Sequence, residues 1–204
     1  MKLALVNRKG GVGKTTSAVF FAALLGQTGR TLLVDADPDQ STLQWLTVAE
    51  DMAGVDVVAL PTTQVHRQVA GLASAYEHVV IDTPPGTGSQ SIVRSALHAV
   101  DTVVIPTGPV IGDLGRLRST VDFVAEVSEH HDLVYALLLT RVRRGTTSAR
   151  EARPLLTDLG HPVLDAEIPL REAIGSSWGT PRPSDDAYAA ALAELTGGSH
   201  EDQL

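Results

Sequence analysis

The 204-residue chain contains no cysteine, which excludes a disulfide framework, a thiolate zinc site and an iron–sulfur cluster. A reducing cytoplasm is the expected surrounding. Aromatic residues make up only 4% of the chain, and Trp45, Trp178, Tyr76 and Tyr135 are too dispersed for a base-stacking platform, so core or interface positions are expected for them. No run approaches the ~20 apolar residues of a membrane span, and the apolar run that begins the chain is too short for a signal peptide. Lysine is scarce as well: Lys2, Lys9 and Lys14 are the whole complement, and the remaining positive charge is arginine, the side chain suited to forked phosphate contacts. A net charge of −8 argues against a uniformly basic nucleic-acid binder, which leaves the distribution of charge to decide.

What is present is a regular alternation of apolar runs and helix-periodic segments. Strands are expected over 2–7, 30–35, 55–60, 77–82, 102–106, 133–140 and 163–168, with Pro106 closing the fifth. Helices are expected over 16–27, 40–46, 90–99, 114–129, 148–159 and 185–195, and one more from a Thr62 or Thr63 cap to Ala75. The first helix carries an apolar face at Val19, Phe20, Ala23 and Leu24. This rhythm implies an α/β fold, a mostly parallel sheet sandwiched by helices. The length fits a single domain over 1–196, followed by a polar, flexible tail over 197–204.

The stretch with the most chemical content is Asn7-Arg8-Lys9-Gly10-Gly11-Val12-Gly13-Lys14-Thr15-Thr16, between the first strand and the first helix. Strand, glycine-rich turn and helix N-terminus together make a phosphate cradle. Backbone N–H groups from Gly10 to Thr16 and the positive helix end face the anion, Lys14 reaches the β- and γ-phosphates, and the Thr15 hydroxyl is placed to ligate Mg²⁺. The strict P-loop pattern has glycine where this chain has Arg8, and Lys9 precedes the glycine pair, so the loop is a deviant Walker A.

Two further motifs follow in order: Val34-Asp35-Ala36-Asp37-Pro38-Asp39-Gln40, and Val79-Val80-Ile81-Asp82-Thr83-Pro84-Pro85-Gly86. Asp35 and Asp37 stand two apart at a strand end, so a persisting strand geometry points them the same way. With the loop at 9–16, these motifs resemble the ParA/MinD family of deviant Walker ATPases, in particular the short ParA-type partition ATPases. The resemblance implies ATP hydrolysis with Mg²⁺. Asp82 resembles the Walker B carboxylate that holds the metal through water. By the same resemblance Asp35 supports the metal shell, Asp37 positions the attacking water, and Lys9 crosses a dimer interface to the partner's nucleotide. Thr140-Arg141 and Ile168-Pro169-Leu170 match the family's adenine-side segments, with Arg141 and Pro169 as the contact residues; they also fit as ordinary strand ends.

Arg141, Arg143, Arg144, Arg150 and Arg153 place five arginines in thirteen residues with one acid, Glu151, among them. Two readings fit: a solvated face, or a basic loop and helix that grip DNA backbone without reading bases. The resemblance favours the second, at Arg143, Arg144, Arg150 and Arg153, with Arg171 and Arg182 as possible extensions. The function it implies is an ATP-dependent homodimer that binds nonspecific DNA, released when a small partner protein, itself DNA-binding, stimulates hydrolysis. Plasmid or chromosome segregation is the leading cargo, and a protein cargo such as a carboxysome or chemosensory cluster is the alternative. The setting implied is cytoplasmic and nucleoid-associated. The loop begins within ten residues of Met1, so no N-terminal helix-turn-helix domain is expected. The 197–204 tail lacks the lysine- and leucine-rich amphipathic character of a MinD-like membrane anchor, so no membrane partner is expected. A metabolic ATP-dependent enzyme fits less well, because such relatives typically lack the lysine before the glycine pair.

Overall fold

A computed structural model describes residues 1–197; residues 198–204, most of the expected tail, lie outside the described residues. Seven strands form one parallel sheet: β1 (Lys2–Leu5), β2 (Thr31–Asp35), β3 (Val55–Ala59), β4 (His78–Asp82), β5 (Thr102–Thr107), β6 (Val134–Val142) and β7 (Val163–Pro169), in the spatial order β3-β2-β4-β1-β5-β6-β7. The helices are α1 (Lys14–Leu25), α2 (Ser41–Ala49), α3 (Val65–Leu72), α4 (Gln90–Leu97), α5 (Ile111–Ser128), α6 (Thr147–Asp158), the single turn α7 (Glu172–Gly175) and α8 (Asp186–Gly197). This is the expected layered α/β architecture.

Alternation along the strands sorts the apolar side chains into two cores. Ala4, Leu32, Val34, Val79, Ile81, Val103, Leu137 and Leu139 face a layer built on α3, α4, α5 and α6. Leu3, Leu5, Leu33, Val80, Val104 and Leu138 face the opposite layer, built on α1, α2 and α8. Helix α1 is wedged between the sheet, α2 and α8, so it is buried nearly all round rather than along the one face expected.

Three local expectations are corrected. Pro106 does not end β5: the strand continues to Thr107 and pairs Pro106 with Leu138. A central proline is tolerated because β1 has already turned away: Val6 N–H donates to Val104 O at 3.0 Å, and the next carbonyl on that side, Pro106 O, accepts Asn7 Nδ2 at 2.7 Å. Helix α3 starts at Val65 behind Gln64, with no side-chain cap, rather than behind Thr62 or Thr63. Strand β6 runs past Thr140 through Arg141, at φ 56, to Val142, and its pairing with β7 shifts register there. The basic loop is correspondingly shorter, and Thr146 closes it by accepting Ala149 N–H at 3.3 Å as the cap of α6.

Candidate active site

β1, β2 and β4 end level with one another: Asp35 is in register with Asp82, and Asp82 with Leu5. Ligands of open parallel sheets bind beyond such carboxyl ends. The loop leaving β1 is held from both sides. Asn7 Oδ1 accepts Lys9 N–H at 2.8 Å, and Arg8 O accepts Gly86 N–H at 2.7 Å. Gly13, at φ 89, makes the left-handed step into α1, where Ser17 N–H donates to Gly13 O at 2.8 Å. Loop and helix N-terminus therefore present their free N–H groups to one cavity of about 500 Å³. Lys14, only 6% exposed, lines it, and its Nζ donates to Lys9 O at 3.4 Å. Burial pushes the pKa of its ammonium group down, while Asp82 and then Asp37 pull it back up.

Asp82 is almost fully buried. Its Oδ2 accepts two hydroxyls, Thr15 Oγ1 at 2.7 Å and Thr42 Oγ1 at 2.8 Å, while its Oδ1 is buried with no hydrogen-bond partner among the described residues. Burial pushes its pKa up to about 6, against the downward pull of the two hydroxyls and Lys14, with Asp35 adding a further push upward. An orphaned carboxylate oxygen beside a threonine hydroxyl fits a hydrated divalent cation, because a metal-bound water is a donor of the kind Oδ1 lacks. The residues present thus fit Mg²⁺ with a polyphosphate.

Asp35 is fully buried and faces inward to the loop. Asp37 N–H donates to its Oδ1 at 3.1 Å and Leu43 N–H to its Oδ2 at 2.9 Å, so it caps α2 from the end of β2. Asp37 lines the cavity, and its Oδ1 accepts Asp39 N–H at 3.0 Å. Lys9 does not line the cavity of its own chain. Val12 is also turned away: it is buried, and its carbonyl accepts the Thr140 hydroxyl at 2.8 Å. Arg141, in the left-handed conformation, donates from Nη1 to Gly11 O at 2.7 Å, and it joins Thr140, Ile168, Pro169 and Leu170 on the cavity wall. The segments expected on the adenine side are therefore brought together with the phosphate loop.

Some of the site was not visible in the chain. Trp45, Trp178 and Tyr188 also line the cavity, and Thr42 holds Asp82. A threonine three residues past a turn and two tryptophans far apart carry no local pattern that marks them.

The arginine cluster divides. Arg143, Arg144 and Arg150 are exposed, and the Arg150 guanidinium donates to Thr147 Oγ1 at 3.4 Å on its own helix. Arg153 is corrected. Its guanidinium donates to Leu164 O, to Asp165 O at 2.9 Å and to Glu167 Oε1 at 3.0 Å, which commits it to β7 rather than to a ligand. Arg171 pairs with Asp185 at 3.0 Å and lines the cavity, so it does not extend the basic face. No helix among the described residues is long and apolar enough to cross a membrane.

A parallel sheet with a P-loop on its first strand, a buried carboxylate at the end of a neighbouring strand and a cavity between them define a P-loop nucleotide-binding protein. Residues 3–180 match the family described as CobQ/CobB/MinD/ParA nucleotide binding domain. The chain belongs to this family and is an ATPase of its ParA/MinD type. It is 38% identical to Maintenance of carboxysome distribution protein A of Gloeobacter kilaueensis over 170 residues, covering 81% of this chain and 75% of that protein. It is 28% identical to the Sporulation initiation inhibitor protein Soj of Bacillus subtilis, covering 84% of this chain and 86% of that protein. Its fold superposes on a plasmid partition protein from Borrelia burgdorferi bound to AMPPNP with a TM-score of 0.74 at 20% identity, covering 97% of this chain and 98% of the other.

Proposed function

We propose that this protein is a cargo-positioning ATPase that dimerises on ATP, binds DNA of any sequence, and lets go when a partner protein stimulates hydrolysis. The observation that carries this reading is the match of residues 3–180 to the family that includes ParA and MinD, on a chain whose phosphate loop, Lys14 and Asp37 line one cavity. Lys9 stands in that loop, its backbone fixed by Asn7. By likeness to that family it is assigned to the nucleotide held by a second copy.

In this reading the loop N–H groups and Lys14 bind the β- and γ-phosphates and neutralise their charge, and the Arg141 and Pro169 side receives the nucleoside. Thr15 and the free Oδ1 of Asp82 would hold Mg²⁺, which supplies further neutralisation across the phosphates when bound. Asp35 fixes the loop that carries Asp37. Asp37 orients water for attack on the γ-phosphorus and takes its proton as the bond to ADP breaks. The partner's Lys9 stabilises charge on the transferring phosphoryl group, as an arginine finger does. Two ATP molecules thus lie between two protomers.

Arg143, Arg144 and Arg150 are exposed cations of one short segment, and they are assigned to DNA backbone. One such patch is small on a chain of net charge −8, and dimerisation presents two. The test is DNA binding by the ATP-loaded protein over a range of salt. The expected result is equal affinity for unrelated duplexes, falling with salt by roughly 0.9 log units per log unit for each phosphate neutralised. Replacing the three arginines with alanine should flatten that slope while ATP binding survives; an unchanged slope would place the DNA surface elsewhere.

A plasmid or chromosome is one cargo. The 38% identity to a carboxysome distribution protein favours a second, a protein compartment moved by the same cycle. Loss of the gene should leave plasmid or chromosome copies missegregated in the first case and compartments clustered in the second.

A further inference from the structure

We infer that Trp178 contacts the nucleoside half of the bound nucleotide, as an aromatic wall braced by Trp45. This rests on the nucleotide-binding reading of the cavity and goes beyond it, because neither tryptophan belongs to any of the three motifs.

The chain has two tryptophans in all, and both line the cavity that holds the phosphate loop. Trp45, on α2, is 2% exposed and packed into the core, whereas Trp178 is 45% exposed. Their ring centroids are 5.1 Å apart at 49°, and Trp45 Nε1 lies 3.5 Å from Thr180 O, which it meets as donor. The short segment bearing Trp178 is held in place around the ring. Thr180 N–H and Thr180 Oγ1 both donate to Ser177 O, at 2.9 and 2.7 Å, closing a tight turn. Gly179, at φ 72, lets that turn lie against α2: a Cβ there would sit 2.6 Å from Val48 Cγ1. Trp178 is therefore backed by a rigid, buried ring while its other side stays open.

The ligand's orientation follows from charge. Its phosphates must sit against the loop and Lys14, so its uncharged end extends into the part of the cavity lined by Pro169, Leu170, Ile174 and Trp178. An indole with a braced back and an open side offers stacking or edge contact to a planar base or its sugar, at little ordering cost.

The experiment compares ATP with inorganic tripolyphosphate, which offers the same phosphates and no nucleoside, by calorimetry on the wild type, Trp178→Ala and Trp178→Phe. The expected result is a loss of about tenfold or more in ATP affinity for Trp178→Ala, with tripolyphosphate affinity unchanged and Trp178→Phe near wild type. In the wild type, whose emission comes from this pair alone, ATP should shift tryptophan fluorescence and tripolyphosphate should not; this second readout stands even if Trp178→Ala does not fold. Equal losses for both ligands would make Trp178 a purely structural residue and overturn the inference. So would unchanged ATP affinity, including the case in which only ATP-dependent dimerisation is lost. A wild type that binds tripolyphosphate and ATP equally well overturns the nucleoside contact but leaves the phosphate site standing; a wild type that binds neither defeats the nucleotide reading and this inference together.

Discussion

Thr15 Oγ1 and Asp82 Oδ2 are joined by a 2.7 Å hydrogen bond between the first turn of α1 and the end of β4. Thr42 donates to the same oxygen from α2, and Oδ1 has no partner among the described residues. Three elements that are distant in sequence thus converge on one buried carboxylate, with one oxygen saturated and the other free.

That arrangement predicts a pH dependence in the nucleotide-free protein. Asp82 protonates at about 6 when folded, above the ordinary aspartate value of 3.8, so the folded state binds more protons than the unfolded state between those values. Its contribution to stability is fully present below the lower value and is lost as pH rises through about 6. The upper bound is about 3 kcal/mol, at 1.36 kcal/mol per pKa unit. Asp82→Asn should flatten this part of the profile and raise Tm near neutral pH by several degrees, measured by thermal unfolding. A mutant that keeps the wild-type profile would assign the titration to another group.

Lys14→Ala should abolish nucleotide binding while leaving the fold in place. The side chain is buried and lines the cavity beside the loop, and its removal takes away the cation that the loop's N–H groups do not replace. Calorimetric ATP affinity equal to that of the wild type would refute the assignment.

Lys9→Ala and Asp37→Ala should fail at different steps. The first is expected to bind ATP but neither dimerise nor hydrolyse it, and the second to bind and dimerise while turning over at least about a hundredfold more slowly, the scale of a lost general base. Light scattering with ATP and a single-turnover assay separate them. A Lys9→Ala protein with a normal ATP dimer would return that lysine to an ordinary loop role.

Arg153→Ala should destabilise the protein by about 1–3 kcal/mol, because it leaves Glu167 and two strand carbonyls without a charged donor. DNA affinity should stay as in the wild type. Arg143→Ala with Arg144→Ala should do the reverse, weakening DNA binding with Tm unchanged. Denaturant titration beside a DNA-binding assay decides between them.

The phosphate loop was legible in the chain because everything it needs is adjacent: an apolar strand, glycines at 10, 11 and 13, then Lys14 and Thr15 opening a helix. The sheet was legible for a similar reason, since strands buried on both faces read as continuous apolar runs. Position along the chain could not say which arginine is free. Arg150 and Arg153 are one helical turn apart, and only the passage of β7 beside α6 gives Arg153 its acceptors. Nor could it say that Asp35 would serve as the cap of α2, that Thr42 would hold Asp82, or that Trp178 would line the same cavity as Lys14. Asp35 meets α2 only after the chain turns back on itself, the roles of Thr42 and Trp178 depend on partners tens of residues away, and a hydrogen bond or a ring contact exists only once the fold has placed its two ends within a few ångströms of each other.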